Sequence, residues 1–141
     1  MREILFKAKR IDNGEWVEGT YLCRENWKWV ECKKATHFIL VQDEYGFTWR
    51  KIDVETLCQF TGLTDKNGKR IWENDICNRK EKYPEIVKYH KGDFILDYSY
   101  ALGKETGYNY CNLGFYVCER KVVEVIGNVF DNPELLEGSN T

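Results

Sequence analysis

The side chains that could hold a hard cation gather in residues 54–77, which read VETLCQFTGLTDKNGKRIWENDIC. Asp65, Asn67 and Gly68 match positions 3, 5 and 6 of a calcium loop, but that register puts Leu63 at position 1 and Asn74 at position 12. Those two places require a carboxylate and a bidentate glutamate, so TDKNG reads as a hairpin turn instead. Asp65, Glu73 and Asp75 could join a histidine around a divalent metal and activate water for hydrolysis. Glu73 and Asp75 are two apart on a turn, and the simpler role for Asp75 is to accept hydrogen bonds from nearby backbone amides and fix the bend. Gly62, Asp65, Asn67, Gly68, Asn74 and Asp75 are therefore read as structural turn residues. The chain contains no G-x-S-x-G, Walker A or G-x-G-x-x-G motif. No catalytic residue, metal or cofactor is assigned.

The thiols are equally unspecific. Cys23, Cys32, Cys58, Cys77, Cys111 and Cys118 are spread through apolar or aromatic segments without a C-x-x-C pair. They read as buried small hydrophobes rather than as disulfides. His37 and His90 lack the spacing that a zinc site needs, and nothing selects one cysteine and one histidine as a nucleophile–base pair. His37 opens an apolar run, where a lone histidine is normally a satisfied structural residue.

Binding is carried by rings and cations. Aromatic residues make up 15% of the 141 residues, and prolines number only 2, a composition suited to pleated, half-buried surfaces. Tyr98, Tyr100, Tyr108 and Tyr110 flank a polar stretch at 101–107 that reads as a surface loop, an aromatic neighbourhood suited to a peptide, a base or a partner subunit. Lys80 and Lys82 add local positive charge, although 21 basic against 23 acidic residues give a net charge of -2 and no strong overall field toward nucleic acid or an anionic membrane. Trp27 and Trp29 fall on one side of a strand and read as core or interface.

The elements that must position these groups are extended. Residues 3–9 alternate in polarity, Asp12, Asn13 and Gly14 turn the chain, and residues 16–22 resume the pattern as a first hairpin. Residues 37–41 and 47–52, joined by a turn at 44–46, predict a second. Residues 54–60 and 69–72 flank the central turn, followed by strands at 76–79, 85–90 and 94–100. Segments 115–118 and 122–126 complete the strands. Asn132 as cap and Pro133 as first residue predict a single helical turn at 132–136 that docks Leu135 and Leu136 on a sheet. The fold class expected is mostly β, in one β-rich domain over 1–136 (N-terminal hairpins at 1–52, a second part at 53–130), with a polar tail at 137–141. The charged start MREILFKAKR offers no apolar core for a signal peptide and no run is long enough to span a membrane, which predicts a cytosolic protein.

The start EILFKAK with GEWVEG, the centre QFTGLTDKNGKRIWENDIC and the ending EVIGNVFDNPELL together resemble the YopX family of phage and prophage proteins. The motifs occur in the family's order across nearly the whole chain, with Asn74 where the family usually carries glycine. Asparagine is the best non-glycine occupant of left-handed backbone, so the turn is expected to survive. The resemblance implies a mostly-β fold containing a small SH3-like barrel, a phage or prophage origin and a bacterial cytoplasmic setting, and no activity.

Three functions follow as expectations. The first is a non-enzymatic interaction module, self-associating into a homo-oligomer or binding a phage or host protein, because the aromatic content exceeds what a core of this size requires. The second is a nucleic-acid-binding small barrel using Lys80, Lys82 and the tyrosines. The third is the metal-dependent hydrolase.

Overall fold

The computed structural model describes residues 2–24, 36–102, 107 and 109–137. Trp27, Trp29, Cys32 and Tyr108 lie outside the described residues, as does most of the expected loop at 101–107. The chain divides into two compact units, Met1–Phe60 and Thr61–Thr141. Each unit is built on antiparallel strands.

In the first unit, β1 (Phe6–Arg10), β2 (Trp16–Arg24), β3 (Thr36–Asp43) and the start of β4 (Gly46–Thr64) pair in sequence order, and β1 also pairs with β4. The two expected hairpins are these pairs, with turns at Gly14 (φ 71) and Gly46 (φ 102). Residues 47–52 and 54–60, expected as two strands, are one element. The polar break at Asp53 is absorbed by a bulge: β1 advances from Lys7 to Lys9 while β4 advances from Cys58 back to Asp53. Thr56 stitches the bulge, its hydroxyl accepting the Lys9 N–H at 2.8 Å and donating to the Asp53 carbonyl at 2.7 Å. The ring of four strands is therefore not strictly closed. Its interior holds Ala8, Ile39 and Ile52, packed by Phe6, Val17, Tyr21, Val41 and Leu57.

In the second unit, the end of β4 pairs with β5 (Arg70–Trp72). A second sheet runs in the order β10-β6-β7-β8-β9, from β6 (Asp75–Asn78), β7 (Glu85–His90), β8 (Asp93–Asp97), β9 (Tyr110–Asn112) and β10 (Glu124–Asn128). Ile71, Cys77, Val87, Leu96, Leu113, Val123 and Val125 form its core. The mostly-β class holds, with two antiparallel sheets and few helical turns.

Several local expectations need correction. The strand expected at 94–100 ends at Asp97, whose carboxylate accepts the Ser99 N–H at 2.8 Å and starts a helical turn at Ser99–Leu102. The apolar run 115–118 is a π-helical turn, Phe115–Glu119, with the Asn112 side chain accepting the Phe115 N–H at 2.7 Å. A short apolar run carries no period that separates strand from helix. The C-terminal turn is a 3₁₀ helix, Pro133–Leu136, in which Leu135 and Leu136 are half-buried. Asn132 precedes it without a side-chain cap; its Oδ1 accepts the Asn128 N–H at 3.1 Å. Cys118 is exposed rather than buried, while Cys58 and Cys77 are buried as expected.

Candidate interaction surface

The acidic side chains of the central motif spend their oxygens on backbone. Asp65 takes the N–H groups of Asn67 and Lys69 on Oδ1 and of Val125 on Oδ2, each at 2.9 Å. Burial works against its ionisation, but these bonds outweigh it and hold the carboxyl below its ordinary value. The turn so fixed contains Asn67 and Gly68 (φ 81), and Lys66 N–H reaches the Val123 carbonyl at 3.0 Å, so the motif is tied to β10 and its approach. Gly62 (φ 85) lies inside β4 rather than in the turn. Asp75 is buried and accepts the Trp72 N–H at 2.8 Å. Asn74 stands between them at φ 68, with its N–H on the Val87 carbonyl and its carbonyl taking the Val129 N–H.

Of the expected tyrosine and lysine surface, Tyr98 and Tyr100 meet Tyr83 and Pro84 next to Lys82, and Tyr110 meets His90. Lys80 and Lys82 are exposed in the connection from β6 to β7. Between them and the sheet, Arg79 turns inward: its Nε lies 2.5 Å from Glu85 Oε1, Nη1 lies 2.9 Å from Glu81, and the guanidinium carbon stacks 4.4 Å from the Tyr116 ring. The Nε–Oε1 approach is a close ion pair, not an aligned hydrogen bond. Glu85 is 1% exposed, and burial pushes its carboxyl up despite the pull of Arg79. Its Oε2 accepts the Cys111 thiol at 3.6 Å, and burial together with this carboxylate pushes that thiol up to about 12, far from thiolate chemistry. Tyr98 packs on Tyr83 with ring centroids 5.8 Å apart, and Tyr100 donates its hydroxyl to the Pro84 carbonyl at 2.5 Å. Tyr110 is 43% exposed and meets His90 edge-on. These rings serve cross-strand packing more than a common open platform.

A more coherent exposed surface lies in the first unit. In β2, β3 and β4 alternate residues face away from the Ala8–Ile39–Ile52 core. The register aligns them in rows: Leu22 beside Phe38 beside Lys51, Thr20 beside Leu40 beside Trp49, and Gln42 beside Phe47. Phe47 is 70%, Trp49 47% and Leu22 44% exposed. Phe38 and Trp49 meet edge to face at 6.4 Å, and a notch of about 260 Å³ opens among Leu22, Arg24, Phe38 and Trp49. The inner face keeps a polar note of its own, where the Tyr21 hydroxyl lies 2.6 Å from Nδ1 of the buried His37.

A protein-family model described as YopX protein matches residues 5–137, which takes in every strand described above. The chain belongs to the YopX family. No curated protein matches it. Among solved structures, this YopX chain is similar to the crystal structure of protein EF1440 from Enterococcus faecalis, at 21% identity and a TM-score of 0.56, covering 96% of this chain and 99% of that one. That likeness concerns the fold. In this YopX chain the signal for the outer face was the alternation Phe47, Trp49, Lys51 against Thr48, Arg50, Ile52. Both sides of that strand carry apolar groups, so the pattern alone does not say which side meets the core.

Proposed function

We propose that this YopX-family chain is a phage- or prophage-encoded, cytoplasmic, non-enzymatic interaction module that self-associates through the outer face of β2, β3 and β4. The observation that carries the reading is the in-register apolar row system of Leu22, Phe38, Leu40, Phe47 and Trp49, with three of these rings and chains open to solvent. A soluble domain seldom leaves such a contiguous face uncovered unless it meets a partner. The phage setting and the cytoplasm rest on the family's character. The nucleic-acid reading at Lys80 and Lys82 is weakened because the neighbouring Tyr98 and Tyr100 are half-buried and engaged with Tyr83 and Pro84. The hydrolase reading is weakened because Asp65 and Asp75 are committed to backbone N–H groups.

Light scattering after gel filtration tests this. The wild type should elute as a dimer or larger, and the double variant Phe47→Asp/Trp49→Asp as a monomer with an unchanged circular dichroism spectrum. A wild type that stays monomeric at the highest soluble concentration overturns the self-association.

A further inference from the structure

The outer face of β2, β3 and β4 carries both a hole and a knob. The hole is the notch of about 260 Å³ among Leu22, Arg24, Phe38 and Trp49. The knob is Phe47, which is 70% exposed and does not line the notch. An apolar cavity of about 150 Å³ admits benzene, so the notch has room for a phenyl ring. The two features straddle the row in which Thr20, Leu40 and Trp49 stand side by side. Phe47 lies two residues from Trp49, roughly 7 Å, toward the β3–β4 turn, and Phe38 and Leu22 lie two residues from Leu40 and Thr20 on the opposite side.

The charges repeat this arrangement at the ends of the face. Glu44 is four residues past Leu40, in the turn between β3 and β4, and Arg24 is four residues past Thr20 in the opposite direction. Both are exposed, and neither is ion-paired among the described residues, whereas the adjacent Asp43 already has Arg50 at 3.7 Å. A two-fold axis lying in the face and crossing the Leu40–Trp49 row therefore turns knob onto hole and carboxylate onto guanidinium, twice over. A second copy of the chain thus supplies the apolar ring and the counter-charge together, at the spacing the face itself sets. Resting on the self-association proposed above, we infer that two copies pair antiparallel about that axis. Phe47 of each copy seats in the notch of the other, and Glu44 of each meets Arg24 of the other.

Sedimentation equilibrium of the full chain at low salt tests the pairing. Glu44→Arg and Arg24→Glu should each weaken the dimer about ten-fold or more with an unchanged circular dichroism spectrum, because symmetry places every like-charge contact twice. The double variant Glu44→Arg/Arg24→Glu re-creates the attraction with its signs exchanged and should return to within about three-fold of the wild type. Lys80→Glu, which alters net charge as much as Arg24→Glu does but lies in the second unit, should leave the dimer unchanged. If the wild type associates and either single reversal has no effect, or the double variant stays as weak as the singles, the antiparallel pairing is overturned while self-association stands. A wild type that is monomeric at its highest soluble concentration overturns both.

Discussion

Gly19 lies in β2 between Phe6 of β1 and the start of the β3 pairing, where a Cβ would sit 1.9 Å from the Leu40 carbonyl oxygen and 2.9 Å from its carbon. The obstacle is backbone, which cannot rotate aside as a side chain does, so alanine must pry β2 from β3. Gly19→Ala should therefore cost about 3 kcal/mol or more by urea unfolding, at the top of the overpacking range. A loss under 1 kcal/mol would mean that this corner of the sheet is looser than the contact implies. Arg79 and Glu85 show the other residue-scale pattern, a buried pair whose value lies in each charge having the other. Losing either partner leaves an uncompensated charge in a dry site, whereas the pair itself adds little net stability.

At the scale of elements, turns decide the register, and they were the most legible part of the sequence. Asn13–Gly14 and Asn67–Gly68 could be read as reversals from residue chemistry alone, because glycine and asparagine tolerate positive φ at low cost, and the structure adds a reversal at Lys91–Gly92. The last is a two-residue connection between His90 and Asp93 with Lys91 at φ 49 and Gly92 at φ 86, the signature of a type I′ hairpin turn. Lysine is a poor occupant of the first position. Lys91→Asn should stabilise the fold by about 0.5–1 kcal/mol, seen as a higher urea midpoint at unchanged slope; a neutral or negative effect would show that the turn relaxes when strained. What the sequence hid were features set by partners far along the chain. The β4 bulge depends on a Thr56 hydroxyl meeting Lys9, 47 residues away. The helical turns at 99 and 115 are each started by an Asp or Asn side chain inside a run whose apolar content resembles a strand. The outer face was hidden differently: Phe47 and Trp49 were visible as a pair, but only the register with Leu40 and Phe38 shows that they join one exposed surface.

Over the whole molecule, acid titration falls on a few buried carboxylates of opposite tendency. Asp97 is disfavoured as an ion by burial but gains the Lys88 ammonium at 2.8 Å and the Ser99 N–H, and like Asp65 it lies below its ordinary value. A carboxylate depressed in the fold contributes stability that is present above its unfolded pKa and is lost as pH falls through its folded pKa. Glu85, raised by burial, behaves in reverse: its contribution is present below its unfolded pKa and disappears as pH rises through its folded pKa. The acid limb of the stability curve should thus be set by Asp65 and Asp97, with Glu85 working against them. Asp65→Asn is the sharper test, because the carboxylate serves three backbone amides and one of them, Val125, belongs to β10. At pH 7 the variant should lose about 2–3 kcal/mol, the scale of hydrogen bonds to a charged acceptor with one buried N–H left unmatched. As pH drops below the ordinary aspartate value the unfolded wild type takes up a proton that the folded carboxylate still refuses, which erodes the wild type's advantage, so the gap between the two proteins should narrow. It should not close, since an asparagine that keeps its oxygen on Asn67 and Lys69 turns an NH₂ group toward the Val125 N–H. Urea unfolding of both proteins at pH 7 and pH 3 measures the gap directly. A gap of equal size at both values would show that Asp65 acts by shape alone and that its charge contributes nothing to the weld between the central turn and the last strand.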